Sequence, residues 1–192
     1  MSLETVVVTG IGIISPLGHG YELLMKALLA GESGVREVPE LAEVGGLRSR
    51  LAARVEGVDP KQVPRKIRRS MSNMSIYAYL ASQQALAMAG FPDEQLSTGR
   101  TGVVVGSTLG STATSENFFA DYFRDHSLER MKSGLFFQLM GHSCAANVAQ
   151  ALGITGRVMA PSSACATSCQ AIGFAYEQIA FGRQDAILCG GA

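Results

Sequence analysis

Charge is scarce in this sequence. Asp, Glu, Lys and Arg make up only 17% of its 192 residues, below the roughly 25% of an average soluble chain. The 16 basic residues are matched by 16 acidic ones, for a formal net charge of zero. A neutral chain has no global field with which to hold nucleic acid or an anionic membrane surface, so neither is expected as a partner. Long apolar runs are missing as well: no stretch reaches the roughly 18 to 20 residues that span a bilayer. The opening Met1-Ser2-Leu3-Glu4 lacks the basic stretch and apolar core of a secretory leader. Cysteine occurs at only four positions, Cys144, Cys165, Cys169 and Cys189, all in apolar or small-residue surroundings. Without an export signal the expectation is reduced thiols in a cytoplasmic protein. Short repeats and low-complexity tracts are also absent.

What is present excludes a disordered chain, because 47% of the residues are apolar. The length suits one domain, or two at most. Gly, Ala and Ser number 22, 24 and 18. Small residues in such number suit tight helix–sheet packing and close approach of backbone to a ligand.

Val6-Val7-Val8 is a continuous β-branched run and predicts a buried strand. A turn from Gly12 to Gly18 leads into a helix over Tyr21 to Ala30, closed by Gly31. A short strand is expected near Leu51 to Val55. The spacing predicts a helix over Ser75 to Ala89 with Ile76, Leu80 and Met88 on its core face and Gly90 as its stop. Gly102 to Gly106 reads as a second buried strand, followed by a small-residue loop, Ser107 to Ser115. Helices are expected over Asn117 to Arg124, His142 to Leu152 and Ala166 to Phe181, the last two closed by Gly153 and Gly182. Short strands are expected at Arg157 to Ala160 and Ala186 to Cys189. Alternating strands and helices make this an α/β chain with a largely parallel core.

The turn Thr9-Gly10-Ile11-Gly12-Ile13-Ile14-Ser15 invites a dinucleotide-binding reading. Ser15 replaces the third glycine, Pro16 and Gly18 delay the helix, and no acidic residue ends a second strand about 20 positions on. A tight strand-to-helix turn accounts for it.

The strongest local signal is Ser162-Ser163-Ala164-Cys165-Ala166-Thr167-Ser168, between a short strand and a nearly uncharged helix. Cys165, Cys169, Ile172, Tyr176 and Ile179 recur along that helix at spacings of 4, 3, 4 and 3, and so few charges predict burial on most sides. At the helix N-terminus, unpaired N–H groups and the macrodipole favour a Cys165 thiolate, and small neighbours leave room for a substrate carbonyl. The competing reading is a small buried hydrophobe, and local physics leaves both open. Cys169, one turn deeper, fits the buried reading better. Each of the three histidines, His19, His126 and His142, is a candidate partner for a nucleophilic cysteine, but none sits in a convincing site. The His142-x-Cys144 pair has no further ligands, so no metal is expected. Pro64-Arg65-Lys66-Ile67-Arg68-Arg69, the only basic cluster, reads either as a solvated loop or as a docking patch for an acidic protein.

Four segments together resemble the N-terminal half of a β-ketoacyl-acyl carrier protein synthase, the elongating condensing enzyme of fatty acid and polyketide synthesis. They are VVVTGIGIISPLG (6–18), RSMSNMSIYAYLASQQALAMAG (69–90), GVVVGSTLG (102–110) and GITGRVMAPSSACATSCQAIGFAYEQIAFGRQDAILCGGA (153–192). The resemblance implies the thiolase fold, with residues 1–192 forming the N-terminal half of an α-β-α-β-α layered architecture. It implies a homodimer in which the strand Arg157 to Ala160 pairs across the two-fold axis. Cys165 matches the nucleophile that takes an acyl group from a phosphopantetheine thioester, with its own N–H as one oxyanion donor. Leu109 falls at a gate of the acyl pocket, and Phe137 resembles an aromatic that reaches the partner subunit's pocket. Lys66, Arg69 and Lys132 resemble positions that dock acyl carrier protein.

The implied substrates travel on the carrier's phosphopantetheine, and no other cofactor is expected. The family's enzymes are roughly twice as long. Two active-site histidines, a lysine and a second oxyanion donor belong to a C-terminal half that would sit in the same or a separate chain. The resulting expectation is an acyltransferase that loads Cys165 and then condenses with malonyl thioester once both halves are present. The alternatives are a non-catalytic partner subunit resembling a chain-length factor, and a simple acyltransferase without condensation.

Overall fold

A computed structural model describes residues 3–129 and 131–192. The elements, in order, are β1 (Ile14–Ser15), β2 (Gly18–His19), α1 (Tyr21–Leu29), β3 (Arg36–Glu37), β4 (Leu51–Ala52), α2 (Arg65–Arg68), α3 (Asn73–Ala89), β5 (Thr101–Gly106), α4 (Thr112–Phe123), α5 (Ser133–Leu139), α6 (Ser143–Leu152), β6 (Val158–Met159), α7 (Thr167–Ala180) and β7 (Ala186–Gly191). Two antiparallel ribbons, β1–β2 and β3–β4, lie apart from a three-stranded parallel sheet ordered β6-β5-β7. Strand β5 is buried along its whole length, as the central strand of a sheet covered on both faces must be.

Alternation along β5 divides the core. Val103 and Val105, with Leu188 of β7, pack on Ile76 and Tyr79 of α3 and on Cys144 and Val148 of α6. Gly102, Val104 and Gly106 face the other way, toward α7. There α7 lays down Thr167, Ala171, Ala175 and Gln178, which are buried at spacings of 4, 4 and 3. The order helix–sheet–helix is the α/β layering expected of half a thiolase-like fold.

The helix stops fall where glycine permits a left-handed residue. Gly90 (φ 57°) ends α3 and Gly153 (φ 67°) ends α6. The buried Gln184 ties the sheet's lower end together. Its Oε1 accepts from the Arg157 N–H (3.2 Å), and its Nε2 donates to the Gly99 carbonyl (3.2 Å).

Three expectations are corrected. Val6-Val7-Val8 forms no strand, and Val7 and Val8 are 69% and 80% exposed. A strand needs a neighbour's N–H and C=O groups. The outer edge of β7 stays unpaired among the described residues, and the Gly10–Ile13 stretch crosses α3 instead. Ile13 N–H donates to Gln84 Oε1 (2.8 Å), and a Cβ at Gly12 would stand 1.7 Å from the Ala81 carbonyl oxygen.

The core face of α3 is Met74, Ser75, Ile76, Tyr79 and Ser82. Leu80 is half-buried and packs against that core as expected, but Met88 is exposed, because its side of the last turn lies beneath residues 10–13. The stripe Cys165, Cys169, Ile172, Tyr176 is the exposed side of its segment, with only Ile179 half-buried. The sheet surface below is glycine-lined, so the helix turns its small residues inward and its larger ones out.

Candidate active site

Two loops converge above the C-terminal ends of the strands. One is the Ser107–Ser111 loop that leaves β5. The other runs from β6 through Pro161, Ser162 and Ser163 into a tight 3-10 turn, Ala164–Ala166, directly before α7. Cys165 is the middle residue of that turn and its side chain is exposed. Ala164, immediately before it, has φ 48°, in the left-handed region. A β-carbon there costs roughly 1–2 kcal/mol, and such strain concentrates at functional sites.

Hydrogen bonds offset the strain. Thr167 Oγ1 donates to the Ala164 carbonyl (2.8 Å) and accepts from the Ser163 N–H (2.8 Å). Thr108 Oγ1, from the other loop, lies 3.1 Å from Thr167 Oγ1 and 3.4 Å from the Ala164 carbonyl. A hydroxyl has one proton and two acceptor positions, so Thr108 donates to Thr167 and completes it. Ser163 Oγ bonds Gln170 Oε1, one turn into α7. The Cys165 turn is therefore clamped on both sides by hydroxyls and one amide. Sequence reasoning assigned these residues no part. The dense Ser/Thr flanks of the cysteine were the available signal, since such side chains bond nearby backbone in preference to extending a helix.

The four thiols are in different environments. Cys144 is fully buried, and that burial pushes its thiol up to about 12. Cys189, on β7, has an exposed face, yet the burial of the rest of its surroundings pushes its thiol up as well. Cys165 and Cys169 are exposed, which corrects the expectation that Cys169 is a buried hydrophobe. Low-dose iodoacetamide at pH 8, read by peptide mass spectrometry, should mark Cys165 first, at the mouth of the helix, and Cys169 next. Cys144 should stay unmodified until the protein is denatured. Labelling of Cys144 in folded protein at a rate like that of Cys165 would contradict this ordering.

Leu109 lies in the β5 loop and is 76% exposed. Phe137, on α5, is half-buried and meets the His142 ring edge-on at 6.3 Å. Lys66 and Arg69 are exposed, on and just after α2, and Lys132 is exposed at the start of α5. The histidines make their contacts elsewhere. His19 Nε2 bonds the Glu56 carbonyl (2.7 Å), His126 packs on Tyr122 and His142 on Phe137. Among the described residues no three His, Cys, Asp or Glu side chains converge to hold a metal, and no helix is long and apolar enough to cross a membrane.

Comparison with known proteins places this geometry. The family model described as Beta-ketoacyl synthase, N-terminal domain, matches residues 3–192. The chain is 36% identical over 191 residues to 3-oxoacyl-acyl-carrier-protein synthase 1 of Haemophilus influenzae, covering 99% of this chain and 47% of that protein. A crystal structure of a β-ketoacyl synthase from Burkholderia phymatum is 41% identical and superposes with a TM-score of 0.86, covering 96% of this chain and 45% of that one. The ishigamide ketosynthase/chain length factor superposes equally well, with a TM-score of 0.86 at 26% identity, covering 97% of this chain and 46% of that one. The chain thus spans about half the length of the relatives it matches. With a family match over nearly every residue and a thiolase-like half-fold built around the Cys165 turn, the chain belongs to the β-ketoacyl synthase family, as its N-terminal domain.

Proposed function

We propose that this chain is the acyl-accepting half of a 3-oxoacyl-acyl carrier protein synthase, and that Cys165 is its nucleophile. The observation that carries the reading is the Cys165 turn, a strained and clamped backbone that presents one exposed thiol at the start of a helix. In the first half-reaction the Cys165 sulfur attacks the carbonyl carbon of an acyl thioester. The new C–S bond forms, and the carrier's phosphopantetheine thiol leaves with the proton. The turn's backbone bonds run from the Ala166 N–H to the Ser163 carbonyl and from the Thr167 N–H to the Ala164 carbonyl. Neither uses the Cys165 N–H, which supports its role as an oxyanion donor.

In the second half-reaction malonyl thioester loses CO2, and the resulting carbanion attacks the acyl-cysteine. That step draws on the two histidines, the lysine and the further oxyanion donor of a C-terminal half. Exposed apolar side chains support such a complement. Ile172 and Tyr176 on α7, and Phe119, Phe123, Leu128 and Phe136 around α4 and α5, are faces for the second half and the partner subunit. Leu109 gates the acyl chain and Phe137 reaches across the dimer. Incubation with an acyl-carrier thioester should add one acyl group to the Cys165 peptide, and no adduct at all would sink the reading. The resemblance to a ketosynthase/chain length factor motivates the alternative of a non-catalytic subunit, which predicts a stable complex with no adduct.

Lys66, Arg69 and Lys132 form the docking surface for the carrier. No acidic residue interrupts Pro64 to Arg69, and the ion pairs found among the described residues, Arg54–Glu40, Arg100–Asp185 and Arg124–Asp121, lie elsewhere. The combined change Lys66→Glu and Arg69→Glu should raise the KM for acyl carrier protein about tenfold or more and flatten its salt dependence. Acylation of Cys165 by a small thioester should be unaffected. Unchanged carrier affinity at low salt would remove this surface from the mechanism.

A further inference from the structure

We propose that Gln138 is a positioning residue for carrier-protein recognition. Its side-chain amide holds the basic turn in the orientation in which Lys66 and Arg69 meet their partner. The inference rests on the docking reading above. Helix α2 has four residues, one turn, too short to be stable by itself. Val63 before it and Met71 after it are buried and anchor its ends. Apolar anchors are not directional, so they fix where the turn attaches and not where its charges point.

Directional bonds come from two amides on other helices. Gln138 Nε2, near the end of α5, donates to the Arg69 carbonyl at 3.0 Å. Asn147 on α6, only 1% exposed, donates from Nδ2 to the next carbonyl, Ser70, at 3.1 Å and to Ser75 Oγ at 3.3 Å. Its Oδ1 accepts the Ser70 hydroxyl at 2.6 Å. Two consecutive carbonyls just past the end of α2, where a helix has no internal donors, are thus each held by a side-chain amide. Asn147 sits in the core and secures the fold on the inner side of the turn. Gln138 is half-buried on the outer side, on the helix that begins beside Lys132. Six residues separate them, a rise of about 9 Å. The Gln138 bond therefore sets both the aim of Lys66 and Arg69 and their spacing from Lys132, joining three separate cations into one surface.

Gln138→Leu removes the amide donor and leaves an apolar side chain one bond shorter. In the intact protein it should raise the KM for acyl carrier protein about three- to tenfold, the range expected for one lost hydrogen bond. Acylation of Cys165 by an acyl N-acetylcysteamine thioester and kcat should stay at parent values, and the melting temperature should fall by no more than about 2–4 °C. In a Lys66→Ala/Arg69→Ala background, where the KM is already raised, Gln138→Leu should add nothing. An unchanged KM in Gln138→Leu, an equal loss with the small thioester, or full additivity with the charge deletions would each overturn the inference. If Lys66→Ala/Arg69→Ala itself leaves the carrier KM unchanged, the docking reading has failed, a different result from a silent Gln138→Leu beside an active charge deletion.

Discussion

Cys165→Ala is expected to abolish acyl transfer to the protein, lowering the loading rate from a thioester by roughly 10³-fold or more. Covalent catalysis of this kind has one acceptor atom, and the thiols on this chain are not equivalent. Cys144 is sealed under the sheet with its thiol pushed up to about 12, so almost none of it is ionised near neutral pH. Cys189 is pushed in the same direction. Cys169 is exposed but lies one turn past Cys165, as the third residue of α7, beyond the left-handed Ala164 corner and its hydroxyl clamp. Cys169→Ala should therefore keep the loading rate, which makes it the internal control. Because the Cys165 side chain is exposed, its removal should change stability by no more than about 0.5 kcal/mol. Intact-mass kinetics on the two variants decide the matter. Persistent loading of Cys165→Ala, or an adduct that moves with Cys169, would remove Cys165 from the mechanism.

Gly106→Ala is expected to damage both fold and site. A Cβ at Gly106 would stand 2.3 Å from the Pro161 carbonyl oxygen and 2.3 Å from Thr167 Cγ2. The first is backbone, and the second belongs to the β-branched side chain whose hydroxyl holds Ser163 and Ala164. Neither can swing aside without moving β6 or the start of α7. Overpacking against such walls costs about 3 kcal/mol or more, a fall in melting temperature of roughly 6–12 °C for a chain of this size. The same displacement unseats the clamp on Ala164, so loading of Cys165 should fall further than the stability loss explains. Gly45→Ala is the matched control. Its Cβ meets nothing within 4 Å, and stability should hold or rise by up to about 1 kcal/mol. A Gly106→Ala protein that melts and loads like the parent would show that β5 does not support the Cys165 turn.

The sequence by itself determined most of the local elements and singled out the candidate nucleophile. Helices α3, α6 and α7 were legible because each is a long periodic run closed by a glycine free to turn left-handed, at Gly90, Gly153 and Gly182, a signal contained within one segment. Strand β5 was legible because three consecutive valines between glycines suit a strand buried on both faces. Cys165 stood out because small residues and a helix start surround it. Tertiary structure decided everything that depends on what lies opposite. Val6 to Val8 has the composition of a buried strand, yet pairing requires a neighbouring edge, and the chain after it crosses α3 instead. The exposed side of α7 carries the same apolar stripe that periodicity assigned to the core, since the face turned to the glycine-lined sheet is Thr167, Ala171, Ala175 and Gln178. The left-handed Ala164, the Thr108–Thr167 bond between loops 59 residues apart, and the reach of Gln138 back to Arg69 across 69 residues have no local signature. A hydrogen bond is fixed by the position of both partners, and a sequence window holds only one of them.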